Sequence, residues 1–545
     1  MKFNYSIAQN YWLRNLDVLI VIIFCCLPLF MSFPYRVNIF LSWEGAYRLY
    51  LGQIPYKDFG LPMGFAFWGV PAIFFKVFGP FLITLVKAQV FLNFICCFSF
   101  RGILQKLKLA DGLRIPIMMV FCLSYILINF WPWYNNSVII WELAGLNFLF
   151  GFFKRANKWK YVYLVLSCLL LFISFFTKQD GGFLGFMIAS ALVFYNSLVT
   201  KTWKDFFLFL FCYALIGFLI ILPFTKYSFG YWFNYGQPPH TARLSFHDLL
   251  NEVLAESQWI KFYFLLIVVI VVFKIRNTKN FFGNRHEMLF LLLTLGILTE
   301  ALIFGITSYT PPDNNIFFHS FALAYIITGL AQITAVDVNR IPYFSGLVML
   351  ILFWWSGGYW QYLNRITSRM FPSQETANNN PLPAENVINE HTYMLNLDTS
   401  YYEDEGTWTT IDSLKSFQKI YLPPSTIAGI KRLEQMPMFK NKSAAILNMT
   451  ELTPLDYEFG YKLETGENYP LWDHLGVCMF NKQCDDFCYK IKNRTYDVVL
   501  FENIPSLNNF FPFRIRDSLR VYYNKTDSFL APRRPTNGTI EVYVK

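Results

Sequence analysis

Apolar runs of roughly 20 residues recur along the first two thirds of this 545-residue chain, and they constrain its fold most strongly. A run of that length crosses the hydrocarbon core of a bilayer as a helix. Only 15% of the residues are charged, against about 25% in a typical soluble domain. The sequence therefore predicts a polytopic α-helical membrane protein. Its net charge of +10 is spread over short loops, which favours a topological role over nucleic-acid binding.

The distribution of Lys and Arg predicts the orientation of the spans. Loops 154–160, 200–205 and 274–286 are rich in both, so they and the N-terminus are expected in the cytoplasm. Segment 61–79 begins and ends with Pro and Gly, which favours an interfacial or re-entrant segment. About 11 transmembrane helices result. They fall near 16–34, 81–100, 115–132, 137–153, 160–176, 182–199, 206–225, 259–274, 287–307, 316–336 and 343–361.

An odd number of spans places the last third of the chain outside, where the composition becomes polar. We expect a transmembrane module at 1–361, a linker at 362–392 and an exterior, soluble α/β domain at 393–545. The host membrane is predicted to be the bacterial inner (cytoplasmic) membrane, which makes this domain periplasmic; an ER membrane is the alternative. Cys478, Cys484 and Cys488 are close together there, so a disulfide is plausible in an oxidising compartment. Their spacing argues against a zinc site, and no metal site is predicted.

Polar side chains gather in the loops that are assigned to the exterior. Glu44 and Arg48 lie just beyond the first span, and Lys57 and Asp58 follow in the segment PYKDF. A carboxylate at a membrane exit can act as a general base when its surroundings raise its proton affinity. The alternative is an ordinary solvated loop acid.

This first loop resembles that of the GT-C superfamily of membrane glycosyltransferases, which includes protein mannosyltransferase and aminoarabinose transferase relatives. The shared features are an acid after the first helix, then GQIPYKDF at 52–59, then a Pro-led apolar helix that ends in KVFG at 76–79. The resemblance covers about residues 14–100, and the succession of apolar runs along the chain extends it to about 361. It implies a GT-C-like fold with interfacial helices in the first exterior loop, a polyprenyl-phosphate sugar donor and a first-loop Asp or Glu as catalytic base. The family commonly has Asp where this chain has Trp43-Glu44, so Glu44 and Asp58 both remain candidates.

Lys178, Gln179 and Asp180 form a second motif, ahead of two glycines at an exterior helix junction. Lys offers a compact charge to a phosphate, and a helix N-terminus attracts anions. Asp180 could bind sugar hydroxyls. The alternative is a capped helix start with Lys178 extending to the membrane interface.

Two further regions supply candidate ligands for the phosphate or sugar of the donor. Asp313 lies in a polar loop, and His319 follows one turn into the next span, where a polar residue is a functional candidate. His240 and Arg243 lie in the exterior loop 226–258, and Arg can bind phosphate through two hydrogen bonds. The alternatives are a structural histidine inside the bundle and an aromatic interface belt.

Together these features favour an enzyme: a glycosyltransferase of GT-C type in the cell envelope. It would move a sugar from a polyprenyl-phosphate or polyprenyl-diphosphate donor to a lipid, glycan or protein acceptor on the exterior face. No cofactor is certain, and a divalent cation, Mg or Mn, is an option. One alternative is a transporter or flippase of lipid-linked sugars. Another is a non-catalytic scaffold subunit of an envelope complex.

Overall fold

The protein is mostly helical through its first two thirds. The computed structural model describes residue 7 and residues 11–36, 39–127, 129–154, 159–236, 246–275, 278–308, 317–357, 359–360, 363, 407–467, 469–473, 477–505, 511–532 and 538–545. The helices of the first part are α1 (Tyr11–Arg14), α2 (Leu16–Cys26), α3 (Ile39–Tyr50), α4 (Ala66–Phe78), α5 (Leu82–Lys106), α6 (Asp111–Phe121), α7 (Tyr134–Lys154), α8 (Trp159–Thr177), α9 (Gln179–Thr200), α10 (Trp203–Ile221), α11 (Phe246–Asn251), α12 (Gln258–Lys274), α13 (Thr278–Gly283), α14 (Arg285–Ser308), α15 (Phe318–Thr334) and α16 (Ile341–Trp354).

Six described helices are long and apolar enough to cross a membrane: α5, α7, α8, α9, α10 and α14. A seventh span results if the segments around α11 and α12, which meet at a bend of 72°, count as one. Shorter apolar helices include α2, α4, α15 and α16. The chain is thus a multi-pass membrane protein, as its apolar runs predict. The count of 11 spans stays a prediction.

Helix α4 occupies the segment that the sequence predicted to be interfacial or re-entrant. Its 13 residues rise about 20 Å, which is less than the ~30 Å of a hydrocarbon core. Pro71 lies inside the helix and Gly79, with φ +85°, follows its end. The short length favours an interfacial helix over a complete span.

Two tryptophans join α4 to α3. The Trp68 Nε1 donates a hydrogen bond to the Leu41 carbonyl at 3.0 Å, and the Trp43 Nε1 donates to the Pro80 carbonyl at 3.0 Å. The Trp68 ring lies directly against Gly45, where a Cβ would overlap the indole. Glycine at 45 therefore permits the close approach of the two helices.

Residues 407–545 contain the described strands, apart from one short strand of the first loop. The strands are β1 (Phe33–Pro34), β2 (Thr409–Thr410), β3 (Ile420–Leu422), β4 (Ile446–Met449), β5 (Val498–Asn503), β6 (Asn524–Leu530) and β7 (Thr539–Val544). The helices are α17 (Pro424–Gln435), α18 (Pro437–Lys440), α19 (Leu455–Phe459), α20 (Phe480–Lys492) and α21 (Phe513–Tyr522). One sheet has the order β1-β3-β2 and the other β4-β5-β7-β6, in which only β4 and β5 pair in parallel.

The C-terminal segment packs on the first loop through a common hydrophobic core. That core includes Phe33 and Trp43 from the loop together with Phe417 and Leu452 from the C-terminal segment. Strand β1 also pairs with β3, so that the Phe33 amide donates to the Lys419 carbonyl at 2.9 Å. Residues from both ends of the chain therefore build one packed unit. The proposed linker at 362–392 lies outside the described residues, and the domain division stays a prediction.

We expect Gly45→Ala to destabilise the protein by about 1–3 kcal/mol, the usual result of forcing a methyl group into a packed core. The Trp68 ring cannot retreat without breaking its bond to Leu41. Gly69→Ala is the matched control, because nothing lies within 4 Å of a Cβ there and alanine favours a helix over glycine by about 1 kcal/mol. Thermal unfolding in detergent would measure both. Equal melting temperatures for the two variants would contradict the packing argument.

Candidate functional site

Glu44 is a buried helical residue, whereas the sequence analysis had set it in an exterior loop. It lies in the middle of α3, where every residue from Ile39 to Arg48 is buried. Helix α4 covers one side of α3 and the C-terminal segment covers another. Glu44 is 6% exposed, which excludes the alternative of a solvated loop acid.

Arg48 holds Glu44 from one turn further along α3. Its Nε and Nη2 donate to Glu44 Oε1 at 2.9 and 2.8 Å, at the i,i+4 spacing that suits a helical ion pair. Its Nη1 donates to Gln53 Oε1 at 3.0 Å and to the Glu464 carbonyl at 2.9 Å. Its guanidinium also lies 4.7 Å from the centre of the Tyr469 ring. Arg48 is fully buried, so it positions Glu44 and is not placed to bind a donor phosphate as predicted.

A small cavity adjoins this ion pair and has room for about one water molecule. Its lining comes from both ends of the chain: Glu44, Arg48, Ile446, Asn448, Asp456, Tyr461, Leu463, Glu464 and Tyr469.

Asp456 is a second carboxyl group at this cavity, and the sequence analysis missed it. It lies in α19 and is 2% exposed, and Asn448 Nδ2 donates to its Oδ1 at 3.1 Å. Burial, and next the negative charge of Glu44, raise the pKa of Asp456 to about 7. Burial likewise raises the pKa of Glu44, against the opposing charge of Arg48. One available signal was that this acid follows closely after the apolar run AAILNM at 444–449, which forms β4.

Asp58, the other candidate base, stabilises a turn. Its Oδ2 accepts a hydrogen bond from the Ile54 amide at 2.7 Å, and its own amide donates to the Ile54 carbonyl at 2.9 Å. Its carbonyl accepts from the Gly466 amide at 2.8 Å. These bonds give Asp58 a structural role in the turn. Asp58 is not among the residues that line the cavity. Lys57 beside it is exposed.

Residues 463–467 and 469–471 lie across the first loop, and we name them the strap. Three of their groups bond to the loop backbone: Gly466 to Asp58, the Tyr469 carbonyl to the Gly60 amide at 2.9 Å, and the Leu471 amide to the Gly60 carbonyl at 3.3 Å. Tyr469 and Glu464 in the strap also contact Arg48. The strap therefore encloses the Glu44–Arg48 pair.

Lys178, Gln179 and Asp180 form a second cluster at the junction of α8 and α9. Lys178 Nζ lies 3.0 Å from Asp180 Oδ2, and 4.6 Å from the centre of the Phe304 ring. Asp180 Oδ1 accepts from the Gly181 amide at 2.8 Å, in the first turn of α9, and Gln179 donates to the Trp232 carbonyl. The motif thus combines a helix start with a buried ion pair.

Aromatic side chains of the first loop connect the two clusters. Trp68 packs on Gly45 next to Glu44, and its neighbour Phe67 lies 6.0 Å from Tyr134 between ring centres. The Tyr134 ring centre is in turn 5.8 Å from Lys178 Nζ. The loop also reaches the end of α8, because a Cβ at Gly64 would overlap the Phe176 carbonyl. One loop therefore contacts both clusters.

His319 lies apart from these clusters, inside the helix bundle. Its Nδ1 is 2.9 Å from the Tyr263 hydroxyl, and its ring contacts Trp259, Phe318 and Trp355. A hydrogen bond to a tyrosine hydroxyl inside the bundle is consistent with the alternative that His319 is a structural histidine. His240, Arg243 and Asp313 lie outside the described residues.

The three C-terminal cysteines are free thiols in the structure, and the disulfide among them stays a prediction. Their surroundings differ: Cys484 is buried in the core, Cys478 is exposed, and Cys488 Sγ lies 3.7 Å from the Arg514 carbonyl. Among the described residues, no group of three or more His, Cys, Asp or Glu side chains could hold a metal ion.

The overall structure is similar to two crystal structures of ArnT from Cupriavidus metallidurans. For the apo state the TM-score is 0.49, with 10% sequence identity over 98% of this chain and 98% of that one. For the form bound to undecaprenyl phosphate the TM-score is 0.46, with 10% identity over 96% and 97%. ArnT is an aminoarabinose transferase, a GT-C enzyme. Similarity of this degree assigns no role to any residue here.

No family model matches this chain, and no curated protein matches it. The roles of its residues therefore have to be inferred from its own contacts and charges.

We expect Arg48→Met to lower the free energy of unfolding by about 3 kcal/mol or more, because it leaves the buried Glu44 carboxylate without its cation. Arg432→Met is the control, since the Arg432–Asp527 pair is exposed and such pairs contribute about 0–1 kcal/mol. Thermal unfolding in detergent would compare the two. Adding Glu44→Gln to Arg48→Met should restore much of the lost stability. A loss no larger than that of Arg432→Met would argue against the buried ion pair.

Proposed function

We propose that this protein is a membrane glycosyltransferase of GT-C type in the bacterial inner membrane. It would transfer a sugar from a polyprenyl-phosphate donor to an acceptor hydroxyl on the exterior face. The observation that carries the proposal is the buried cavity at which Glu44 and Asp456 lie beside a single cation, Arg48. Buried acids of raised proton affinity are typical of catalytic sites, and Glu44 belongs to the loop whose sequence resembles that of the family.

Glu44 is the base in this proposal. Both bonds from Arg48 go to Oε1, so Oε2 keeps its capacity to accept a proton. The acceptor O–H bond breaks as its proton passes to Glu44, and the oxygen forms a bond to the anomeric carbon. The bond from that carbon to the phosphate oxygen breaks, and its electron pair leaves with polyprenyl phosphate. A single displacement of this kind inverts the configuration at the anomeric carbon.

Lys178 would hold the phosphate of the donor. Its Nζ is buried against Phe304 and Tyr134, where an anion interacts more strongly with it than in water. Asp180 holds Nζ at 3.0 Å, and the phosphate would replace this carboxylate on entry. Gln179 and Asp180 could then bind sugar hydroxyls.

The strap would have to move during turnover. The cavity beside Glu44 has room for about one water molecule, which is far less than a sugar ring needs. The strap holds this space closed through Arg48 and the loop backbone. The described contacts therefore correspond to a closed state, and the C-terminal segment would cap the site.

The experiment is sugar transfer by purified protein in nanodiscs, with a panel of polyprenyl-phosphate sugars. Glu44→Gln should lower kcat by about 10²-fold or more, the usual contribution of a general base. Binding of the donor should persist, because Lys178 is unchanged.

Asp58→Asn distinguishes the two candidate bases. An amide oxygen at 58 can still accept the hydrogen bond from Ile54, so the loss in kcat should stay below about tenfold, the scale of one neutral hydrogen bond. Full activity in folded Glu44→Gln would contradict the assignment of the base. Absence of transfer across the panel would reject the transferase and favour the transporter or scaffold.

A further inference from the structure

The charges at the cavity are unequal in number. Three acidic residues, Glu44, Asp456 and Glu464, line it beside one guanidinium, that of Arg48. The Glu464 carboxylate pairs with Lys490 Nζ at 2.9 Å, which leaves Arg48 as the cation for Glu44 and Asp456. Arg48 bonds directly to Glu44, while Asp456 is held by the neutral amide of Asn448 at 3.1 Å. Arg48 thus pairs with Glu44, and its charge acts on Asp456 without a direct bond.

We propose that Asp456, from the C-terminal segment, is a positioning residue for the first-loop base: its ionised carboxylate faces Glu44 across the shared cavity and strengthens Glu44 as a proton acceptor. This inference rests on the proposed function. Nothing in the sequence near the first loop indicates it, because Asp456 is more than 400 positions away from Glu44 in the chain.

The physical reason is repulsion between like charges in a site with little water. A second carboxylate nearby makes a proton on Glu44 more favourable, and burial strengthens the interaction. The titratable groups that interact with Asp456 are Glu44, Arg48, Tyr47, Tyr461 and Tyr469. The three tyrosines are neutral at physiological pH, since the ordinary pKa of tyrosine is about 10 and burial raises the pKa of each further. Glu44 and Arg48 therefore supply the charges that Asp456 experiences.

This arrangement predicts a pH dependence of turnover. Because the pKa of Asp456 is raised to about 7, its carboxylate is protonated below that pH and ionised above it. We expect kcat to rise as the pH passes through about 7. Asp456→Asn should remove this rise and lower kcat at pH 8 by about tenfold or more, the scale of one unit of proton affinity. KM for the donor should change little, because Lys178 is untouched.

Asp473→Asn is the matched control for the loss of a buried acid. Asp473 is 3% exposed, and burial raises its pKa to about 8, yet it does not line the cavity. This variant should retain the rise in kcat near pH 7. If Asp456→Asn retains it as well, the inference is overturned and the transferase stands.

A second measurement, of thermal stability, detects the ionisation of Asp456 without requiring turnover. In the unfolded chain the pKa of Asp456 is near its ordinary value of 3.8, and folding raises it. The folded state therefore holds the extra proton between about pH 4 and 7, and this contribution to stability is lost as the pH rises through that range. The Asp456→Asn variant lacks this pH-dependent contribution to stability. The melting temperature of the variant, relative to the native chain, should rise by a few degrees between pH 5 and 8.

The Glu44→Gln background tests whether the two acids interact. Without the charge of Glu44, the pH-dependent difference caused by Asp456→Asn should shrink. A difference that is unchanged in this background would overturn the inference, even in an active enzyme. A difference that shrinks supports the coupling between Glu44 and Asp456. If no donor is turned over, the proposed function fails, and with it the positioning role, although the coupling itself would still have been measured.

Discussion

The guanidinium of Arg48 is the group on which the first-loop structure depends. It binds Glu44 within α3, Gln53 in the following turn and the Glu464 carbonyl in the strap. A fully buried cation is costly unless its donors are bonded and its charge is balanced. Glu44 supplies the balancing charge, and the strap supplies an acceptor and the Tyr469 ring. The need to satisfy one buried arginine therefore ties together segments that are 416 positions apart.

The aromatic packing around α3 adds a geometric constraint to this electrostatic one. Trp43 and Trp68 each bury a ring and satisfy their single N–H with a backbone carbonyl, as buried tryptophans require. Gly45 lets Trp68 lie flat against α3. Because Phe67 beside it reaches Tyr134, and Tyr134 lies near Lys178, the same packing connects the carboxylate cavity to the Lys178–Asp180 pair.

The sequence predicts those parts of the molecule that local patterns determine. Long apolar runs identify the candidate spans, and the breakers around α4 identify a short helix, because membrane thickness and proline geometry act over a few residues. Its place in a motif makes Glu44 a candidate, yet its burial depends on the strap and on residues of β4 and α19, which are distant in the sequence. Asp456 could not be found as a neighbour of Glu44, since no local pattern encodes a contact across 400 residues. The sequence of the first loop predicts a phosphate ligand at Arg48, because no local pattern indicates its partners in the C-terminal segment.

The common core of the first loop and the C-terminal segment determines what it would cost to move the strap. Hydrophobic contacts such as those of Phe33 and Phe417 hold the C-terminal segment on the loop, and Leu463 and Leu471 of the strap belong to the same core. Three backbone bonds to the loop and the bond from Arg48 add to these contacts. Each neutral hydrogen bond contributes only about 1 kcal/mol net, so moving the strap off the loop would cost mainly the apolar contacts of Leu463 and Leu471. Opening would uncover Glu44 and remove two of the partners of Arg48. Arg48 would keep its two bonds to Glu44 and its bond to Gln53, so the carboxylate would stay in place when the strap moves.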